Sequence, residues 1–457
     1  MYSTTDKKSK NGFERKLGFF PCTNIVIANM IGAGIFTMSG FLMEELNNPI
    51  LMIVLWFIGG ILALCGAICY GELGAAIPRA GGEYAFLSEL YHPIFGFLSG
   101  WVSFIVGFSA PIAASAIGFS EYFFRAFPQF FSLGETSVFI SLALLKKLLA
   151  IFVIAIFTFI HMRGIDLGAR IQNYLTLLKV GLIVAIVSIG FSFGKGDFHH
   201  IVEQSSFSFS FGGLKTAGLS LMWIMFAYSG WNASTYIGSE IRNPEKNLPR
   251  SLLAGTGIVM FLYLCLNCFY LYAIPPNDMK GVISIGGLAV GNSLGKSLED
   301  LFSLMISFAL FSSLSAFIIL GPRVYYSMAQ DGNFFKFASE VHPRFKVPYK
   351  AIMLQGLISM AMVLSGTFDQ ILTYMGFSLG IFPVLAVCGI FKLRSMGKST
   401  SRFPGYPVVQ IVYILSITAM LVLAFFERPA ESSIAIFTVL IGVPAYFVFR
   451  KNAELRG

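Results

Sequence analysis

Charged side chains are scarce in this chain of 457 residues, where Asp, Glu, Lys and Arg together make up 12%. An average soluble protein has about 25%. Hydrophobic residues make up 56%, and the mean hydropathy is +0.75. This composition excludes a soluble globular protein and predicts a chain that crosses a membrane many times. The N-terminal segment leads into a full-length apolar stretch, so we expect no cleavable signal peptide.

Residues that bind metals or perform chemistry are also few. The five histidines show no metal-ligand spacing, and all six cysteines lie within apolar stretches, two of them as Cys265-x-x-Cys268. Such cysteines usually fill space. Because phosphate-loop and nucleophile motifs are absent too, the sequence predicts no metal, no cofactor and no enzyme. The predicted external loops contain no cysteine, so a disulfide-linked partner subunit is not expected.

Apolar runs long enough to cross a bilayer as a helix occur twelve times along the chain. The predicted spans cover residues 19–44, 49–77, 93–124, 145–161, 169–193, 215–240, 251–274, 298–329, 350–366, 370–391, 408–426 and 432–449. The sequence therefore predicts an all-α polytopic membrane protein.

The basic residues predict the orientation of these spans. Of the 32 Lys and Arg residues, 23 lie at the two termini and in the loops on the same side, and 8 lie on the other side. Since basic loops remain in the cytoplasm, both termini are predicted to be cytoplasmic, in a plasma or inner membrane. The net charge of +9 then follows from topology and does not indicate a nucleic-acid surface.

Span 1 contains Gly32-Ala33-Gly34 at its centre. A glycine inside a helix costs about 1 kcal/mol relative to alanine, and lipid does not tolerate exposed, unpaired backbone. The two glycines therefore indicate either a broken helix that forms a binding site from backbone groups, or close helix packing through small residues.

Span 6 has a second interruption at its midpoint, around Ser229-Gly230. Because five spans separate the two interruptions, a five-span unit would have to repeat with inverted topology. Paired interrupted helices in two such halves indicate the substrate site of a secondary transporter. Half-helix N-termini favour an anion and unwound carbonyl groups a cation. A ligand with both charges, such as an α-amino acid, fits this arrangement.

Lys179 is the one charge in the stretch 171–194. A lysine at the centre of a span costs about 2.5–3.5 kcal/mol on insertion scales. With a rise of about 1.5 Å per residue, it lies about 13 Å from Arg170, too deep to reach the interface easily. Lys179 either takes the place of a bound sodium ion or carries a proton, and the sequence leaves both roles open.

Four segments resemble motifs of the amino acid–polyamine–organocation superfamily, and within it the L-type amino acid transporter branch. Residues 31–36 are similar to the motif I-G-S-G-I-F, 78–84 to P-x-x-G-G-x-Y, 226–232 to F-A-Y-x-G-W-N, and 240–250 to E-x-x-x-P-x-x-N-[LI]-P. The spacing from Arg170 to Lys179 also matches R-x-Q-x(6)-K. The resemblance extends over roughly residues 17–450.

The resemblance implies the LeuT-type fold, in which two inverted five-helix repeats with broken helices 1 and 6 are followed by two peripheral helices. On this basis we expect an N-terminal segment (1–18), a first repeat (19–194), an inverted second repeat (195–391), two peripheral spans (392–450) and a C-terminal tail (451–457).

The resemblance also implies a substrate site at the two breaks. Amides of the span 1 break would bind the carboxylate of an L-amino acid, and carbonyl groups of both breaks its ammonium. Phe226 would act as an aromatic gate and Asn232 as a polar contact. The full set of expected substrate-binding residues is Met30, Ile31, Gly32, Ala33, Gly34, Phe226, Ala227, Ser229 and Asn232.

Lys179 would lie where sodium-coupled relatives hold an ion, between spans 1, 5 and 8, with Ser312 and Ser313 as neighbours. Sodium-independent transport is the expected consequence.

Two residues depart from the family pattern: Ala33 replaces the usual Ser, and Ser229 stands where L-type members commonly have Gly. Because no acidic residue is predicted at mid-membrane, we expect neutral substrates of small to medium size, moved by alternating access and by exchange. A proton-coupled symporter that uses Lys179 and a transport-inactive amino acid-sensing receptor are the alternatives. Repeated carbonyl or charged rings are absent, which disfavours a channel.

Overall fold

The computed structural model describes residues 15, 17–127, 141–163, 165–202, 210–345, 347–365, 368–399 and 405–454. Within these residues the regular structure is helical, and the extended pairings are two single bridges, Leu17 with Ile241 and Ala80 with Ile237. Most of the predicted N-terminal segment, the end of the tail and most of the loop between spans 3 and 4 lie outside the described residues.

The membrane-spanning helices follow the predicted apolar runs. Ten helical stretches are long and apolar enough to cross a membrane, and two helices of 17 residues complete the predicted twelve. In chain order, the spans are Phe19–Met30 with Ala33–Leu46, Pro49–Ala76, Pro93–Val102 through Ser103–Gly107 to Ser109–Ala126, Leu142–Met162, Ile165–Phe193, Phe211–Ala227, Pro244–Ala273, Lys296–Gln330, Tyr349–Ser365, Phe368–Ser395, Val408–Glu427 and Pro429–Glu454.

Shorter helices connect some of these spans. They are Glu83–Leu90, His199–Val202, Pro276–Met279 and Ile285–Leu294, together with the 3-10 turns Ala233–Tyr236, Gly238–Glu240 and Lys336–Ser339. Some helix starts have a side-chain cap: the side chain of Asn48 accepts a hydrogen bond from the Leu51 amide at 2.9 Å, ahead of a proline at the first helical position.

The described ion pairs lie at the two ends of the bundle. Because successive spans alternate in direction, each end collects the beginnings of some spans and the ends of others. The pairs at the end where span 1 begins are Arg79–Asp331, Arg323–Glu240, Lys350–Glu340 and Arg394–Glu72. Those at the opposite end include Arg125–Glu299, Lys146–Glu121, Lys215–Glu427 and Arg428–Glu45. We call the first end the terminal side. This grouping leaves the middle of the bundle without an ion pair among the described residues.

Spans 1 and 6 are both broken, which confirms the prediction. The first half of span 1 ends at Ile31, which has an extended backbone (ψ 91°), and the second half begins after Gly32, which is also extended. The helix of span 6 ends at Ala227. Gly230 then has φ +96°, a conformation that favours glycine, and the chain continues as 3-10 turns.

Candidate functional site

A cavity adjoins both breaks in the terminal half of the bundle. Of the predicted substrate residues, Phe226, Ser229 and Asn232 lie on its wall, together with Asn29. The cavity encloses about 930 Å³ of empty space, including the part open to solvent. Span 3 contributes the five-residue π-helical turn Ser103–Gly107. Such turns often occur at functional sites, and no sequence pattern here predicted this one.

The remaining predicted substrate residues lie behind the cavity wall. They are Met30, Ile31, Gly32, Ala33, Gly34 and Ala227, all of them buried. A Cβ atom at Gly34 would lie 2.6 Å from Cα of Ala227, so the two breaks touch directly. The structure therefore brings the predicted residues together but exposes three of the nine to the cavity.

Protein donors occupy carbonyl groups that were predicted to bind the substrate ammonium. Oη of Tyr263 lies 2.5 Å from the carbonyl oxygen of Met30 and 3.0 Å from that of Ala227. The carbonyl of Phe226 accepts from the amide of Ser229 at 2.8 Å. Because a phenol has one O–H, Tyr263 donates to either Met30 or Ala227 at a time, and these two carbonyl groups lie behind the cavity wall.

The second half of span 1 provides amide groups at the break. Its helix starts at Ala33, and no side chain caps Gly32 before it. The first N–H groups of a helix lack an acceptor within the helix, and the positive end of the helix dipole lies there. This is the local chemistry that a carboxylate requires, and it depends on backbone alone because Ala33 has no hydroxyl group.

Lys179 connects spans 1, 5 and 8 through its ammonium group. Its side chain is fully buried, and Nζ donates to the carbonyl of Ala28 at 3.0 Å, to the carbonyl of Ile31, and to Oγ of Ser313 at 3.0 Å. Ser313 also donates to the carbonyl of Ile31 at 2.8 Å. The three donors of the ammonium group thus meet three neutral oxygen atoms.

Two further contacts connect span 8 with its neighbours near Lys179. The hydroxyl of Ser312, also predicted beside Lys179, lies 3.2 Å from Oγ1 of Thr176 on span 5. The imidazole of His161 on span 4 lies 2.9 Å from Oγ of Ser315. Span 8 therefore contributes hydroxyl groups to spans 1, 4 and 5.

Glu83 is an acidic residue on the cavity wall that the sequence analysis did not place at the site. It is 4% exposed and accepts hydrogen bonds from Tyr70 (3.0 Å), Asn232 (2.7 Å) and Tyr236. Burial raises the pKa of this carboxyl above its ordinary value. The sequence analysis expected no acidic residue at mid-membrane, and Glu83 instead reaches the cavity wall from the segment that follows span 2. Hydropathy gives no signal for Glu83, because this residue lies outside the spans. Two of its three partners, Asn232 and Tyr236, are about 150 positions away in the sequence.

Glycines explain how Glu83 reaches the cavity. Gly81 and Gly82 precede it with φ of +112° and +54°, values that L side chains rarely adopt. A Cβ at Gly82 would lie 2.6 Å from the ring of Tyr236, so the loop approaches span 6 more closely than other residues allow. The paired glycines of the first-loop motif are the sequence signal that could have indicated this approach.

Asn29 was also missed. Its side chain is 2% exposed, and Nδ2 donates to the carbonyl of Ile25 at 2.8 Å. Its Oδ1 has no hydrogen-bond partner among the described residues, and the residue lies on the cavity wall beside Gly230. Asn29 directly precedes the predicted substrate residue Met30, so its position next to the break is the signal that was available.

A helical membrane bundle with two opposed broken spans and a cavity between them defines a secondary transporter. The chain belongs to the amino acid permease family, whose model matches residues 17–445. It is 29% identical to the serine/threonine exchanger SteT of Bacillus subtilis, over 97% of this chain and 98% of that protein. It is 25% identical to the large neutral amino acids transporter small subunit 2 of Mus musculus, over 95% of this chain and 81% of that protein. The Asc-type amino acid transporter 1 of the same species is 26% identical over the same shares.

Family membership confirms the resemblance to L-type transporters and the LeuT-type fold class. The chain is a multi-pass membrane protein of the amino acid transport class and not an enzyme. The relatives named above are amino acid transporters or exchangers, and the many apolar helices of this chain fit a lipid environment.

Proposed function

We propose that this chain is a sodium-independent exchanger of neutral L-amino acids of small to medium size. The ammonium group of Lys179 is the observation that supports sodium independence. It is bound to carbonyl oxygens of span 1 and a hydroxyl of span 8. A sodium ion between these spans would need the same oxygen atoms, since it prefers oxygen ligands, and the tethered ammonium already occupies them.

The cavity wall supports neutral substrates. Glu83 is the carboxylate on this wall among the described residues, and three uncharged donors already bind it. A cationic side chain would have to displace those donors. The printed names of the relatives, a serine/threonine exchanger and a transporter of neutral amino acids, support the same class and the exchange mode.

We propose further that spans 1 and 6 move against the scaffold of spans 3, 4, 8 and 9, within repeats at 19–194 and 195–391. The terminal side would face the cytoplasm, and the chain would act in a plasma or inner membrane without a disulfide-linked subunit. The distribution of basic residues supports this orientation.

Uptake of labelled amino acids into liposomes tests the proposal. We expect uptake to require unlabelled amino acid inside the vesicles and to continue when sodium is replaced by choline. A pH gradient should have no effect. Uptake that depends on external sodium would contradict the proposal, and so would uptake into empty vesicles at the same rate.

Proton-coupled symport is the second candidate, because Lys179 has no carboxylate partner among the described residues. It predicts that a pH gradient drives net uptake and that Lys179→Ala abolishes this uptake while substrate binding persists. A sensing receptor, by contrast, would bind amino acids and show no counterflow.

A further inference from the structure

The network around Glu83 joins parts of the chain that are distant in sequence. Tyr70 lies in span 2, Glu83 begins the helix Glu83–Leu90, and Asn232 and Tyr236 follow the break in span 6. Oε1 of Glu83 accepts from Tyr70 at 3.0 Å and from Asn232 at 2.7 Å, and Oε2 accepts from Tyr236. Uncharged groups thus supply the hydrogen bonds to this carboxylate in the described part of the chain.

The same network determines which way the Asn232 carboxamide faces. The Asn232 atom beside Glu83 is Nδ2, which donates to Oε1 at 2.7 Å, and an ionised carboxylate offers this amide only acceptors. The second N–H of Nδ2 is directed to Oη of Tyr236 at 3.3 Å. Both N–H groups are therefore used, and Oδ1 is the polar atom of this side chain that remains for the cavity.

A second polar atom lies on the same wall. Ser229 is half-buried, lines the cavity with Asn232, and makes no side-chain hydrogen bond among the described residues. An amino acid bound by its backbone at the two breaks would extend its side chain into this cavity, because the cavity borders both of them. The side chain would meet Oδ1 of Asn232 and Oγ of Ser229.

We propose that Glu83 is a positioning residue for substrate selection, which holds the amide nitrogen of Asn232 and thereby presents Oδ1 as an acceptor to the substrate side chain. The inference rests on the proposed function. It names small neutral amino acids with a side-chain hydroxyl as the preferred class. A site that accepts from a hydroxyl disfavours the analogue without it, because the acceptor is then left unpaired.

The KM values for L-serine and L-alanine, which differ by one oxygen atom, test this role in liposomes. We expect the native protein to have a KM for serine about tenfold lower than for alanine, a factor that corresponds to about 1.4 kcal/mol and lies within the range of one hydrogen bond. Glu83→Met has a similar length and only the weak thioether acceptor, so the Asn232 amide can rotate and the ratio of the KM for alanine to the KM for serine should fall towards one. Glu83→Gln retains an oxygen acceptor for Asn232 and should retain most of the ratio.

Three further variants separate positioning from general damage to the structure. Tyr70→Phe removes a donor to Glu83 but leaves the bond to Asn232, so the ratio should not change. Asn232→Ala alone should bring the KM ratio to about one, and adding Glu83→Met to that variant should not change the ratio further. Tyr236→Phe removes the acceptor of the second N–H and should lower the ratio about twofold to threefold.

A KM ratio does not depend on the amount of folded protein, so a destabilised variant still gives an answer. An unchanged KM ratio in Glu83→Met would overturn the inference. If the Glu83→Met protein does not accumulate in the membrane, an unchanged KM ratio in Tyr236→Phe would overturn it instead. Equal KM values for serine and alanine in the native protein would overturn the inference and leave amino acid exchange standing. Absence of any amino acid uptake would contradict the proposed function itself.

Discussion

Gly32 and Gly34 lie in the same break, yet their surroundings differ. A Cβ at Gly34 would meet the backbone Cα of Ala227 at 2.6 Å, a separation that real Cβ atoms do not show. A Cβ at Gly32 would lie 3.6 Å from Oγ of Ser313, an ordinary van der Waals contact, and its φ of −123° suits any residue. The break therefore needs glycine at position 34, where the backbone of span 6 approaches closely, and has no such requirement at position 32.

We therefore predict different outcomes for Gly34→Ala and its matched control Gly32→Ala. Gly34→Ala should push the two breaks apart, at a cost of about 1–3 kcal/mol for overpacking, and should abolish substrate binding. Thermal unfolding with and without L-serine measures this, because a ligand at about 100 times its Kd stabilises the folded state by about 2.7 kcal/mol. Gly32→Ala should retain that shift. A full ligand-induced shift in Gly34→Ala would contradict the assignment of the break.

Between elements, a buried ion pair joins span 2 to span 10. Glu72 is 0% exposed, and both of its oxygen atoms accept from the guanidinium of Arg394 at 2.7 Å. Ser399 donates to the same carboxylate at 2.7 Å, and the guanidinium lies 4.0 Å from the ring centroid of Tyr406. This contact connects span 2 to the end of span 10 and to the segment that leads into span 11.

Removing one partner of this pair leaves the other charge buried and unpaired. Arg394→Met should lower the free energy of unfolding by about 3–5 kcal/mol, measured by thermal or denaturant unfolding in detergent. The double variant Glu72→Gln with Arg394→Met should recover much of the loss, since no charge remains to be desolvated. Equal losses in the single and double variants would show that the pair acts through packing alone.

The positions of the spans were predictable, and the contacts between them were not. Span 2 was predicted at 49–77 and is Pro49–Ala76, because the cost of placing polar groups in lipid marks each boundary in the sequence. The two breaks were predictable because glycine inside a helix is costly, so its presence at mid-span indicates an interruption. The partner of Glu83 in span 6 is 149 residues away, and no local pattern specifies which side chains meet across the bundle. Tyr263 donates a hydrogen bond at the carbonyl groups of the breaks, and this contact depends on the conformation of spans 1, 6 and 7, which the sequence does not specify either.

For the molecule as a whole, contacts on the terminal side join spans 1 and 6, which we propose to move, to span 8 of the proposed scaffold. Leu17, just before span 1, pairs through its backbone with the segment after span 6, donating to the carbonyl of Glu240 at 3.0 Å. The carboxylate of Glu240 then pairs with Arg323 of span 8 at 3.0 Å. Arg323 is further held by the carbonyl of Ile319 at 2.6 Å. The proposed rocking of spans 1 and 6 away from span 8 has to break this ion pair.

Glu240→Gln should therefore shift the conformational equilibrium towards a state that is open on the terminal side. Cys22 in span 1 is 0% exposed in the present conformation, so its alkylation reports opening. In a background where the other five cysteines are replaced by alanine, we expect Glu240→Gln to speed alkylation of Cys22 about fivefold, which corresponds to about 1 kcal/mol. Asp331→Asn is the matched control. It removes the pair with Arg79, whose side chains are 41% and 39% exposed, and such exposed pairs contribute about 0–1 kcal/mol. Equal alkylation rates in the native protein and Glu240→Gln would mean that the ion pair with Arg323 does not hold spans 1 and 6 against span 8.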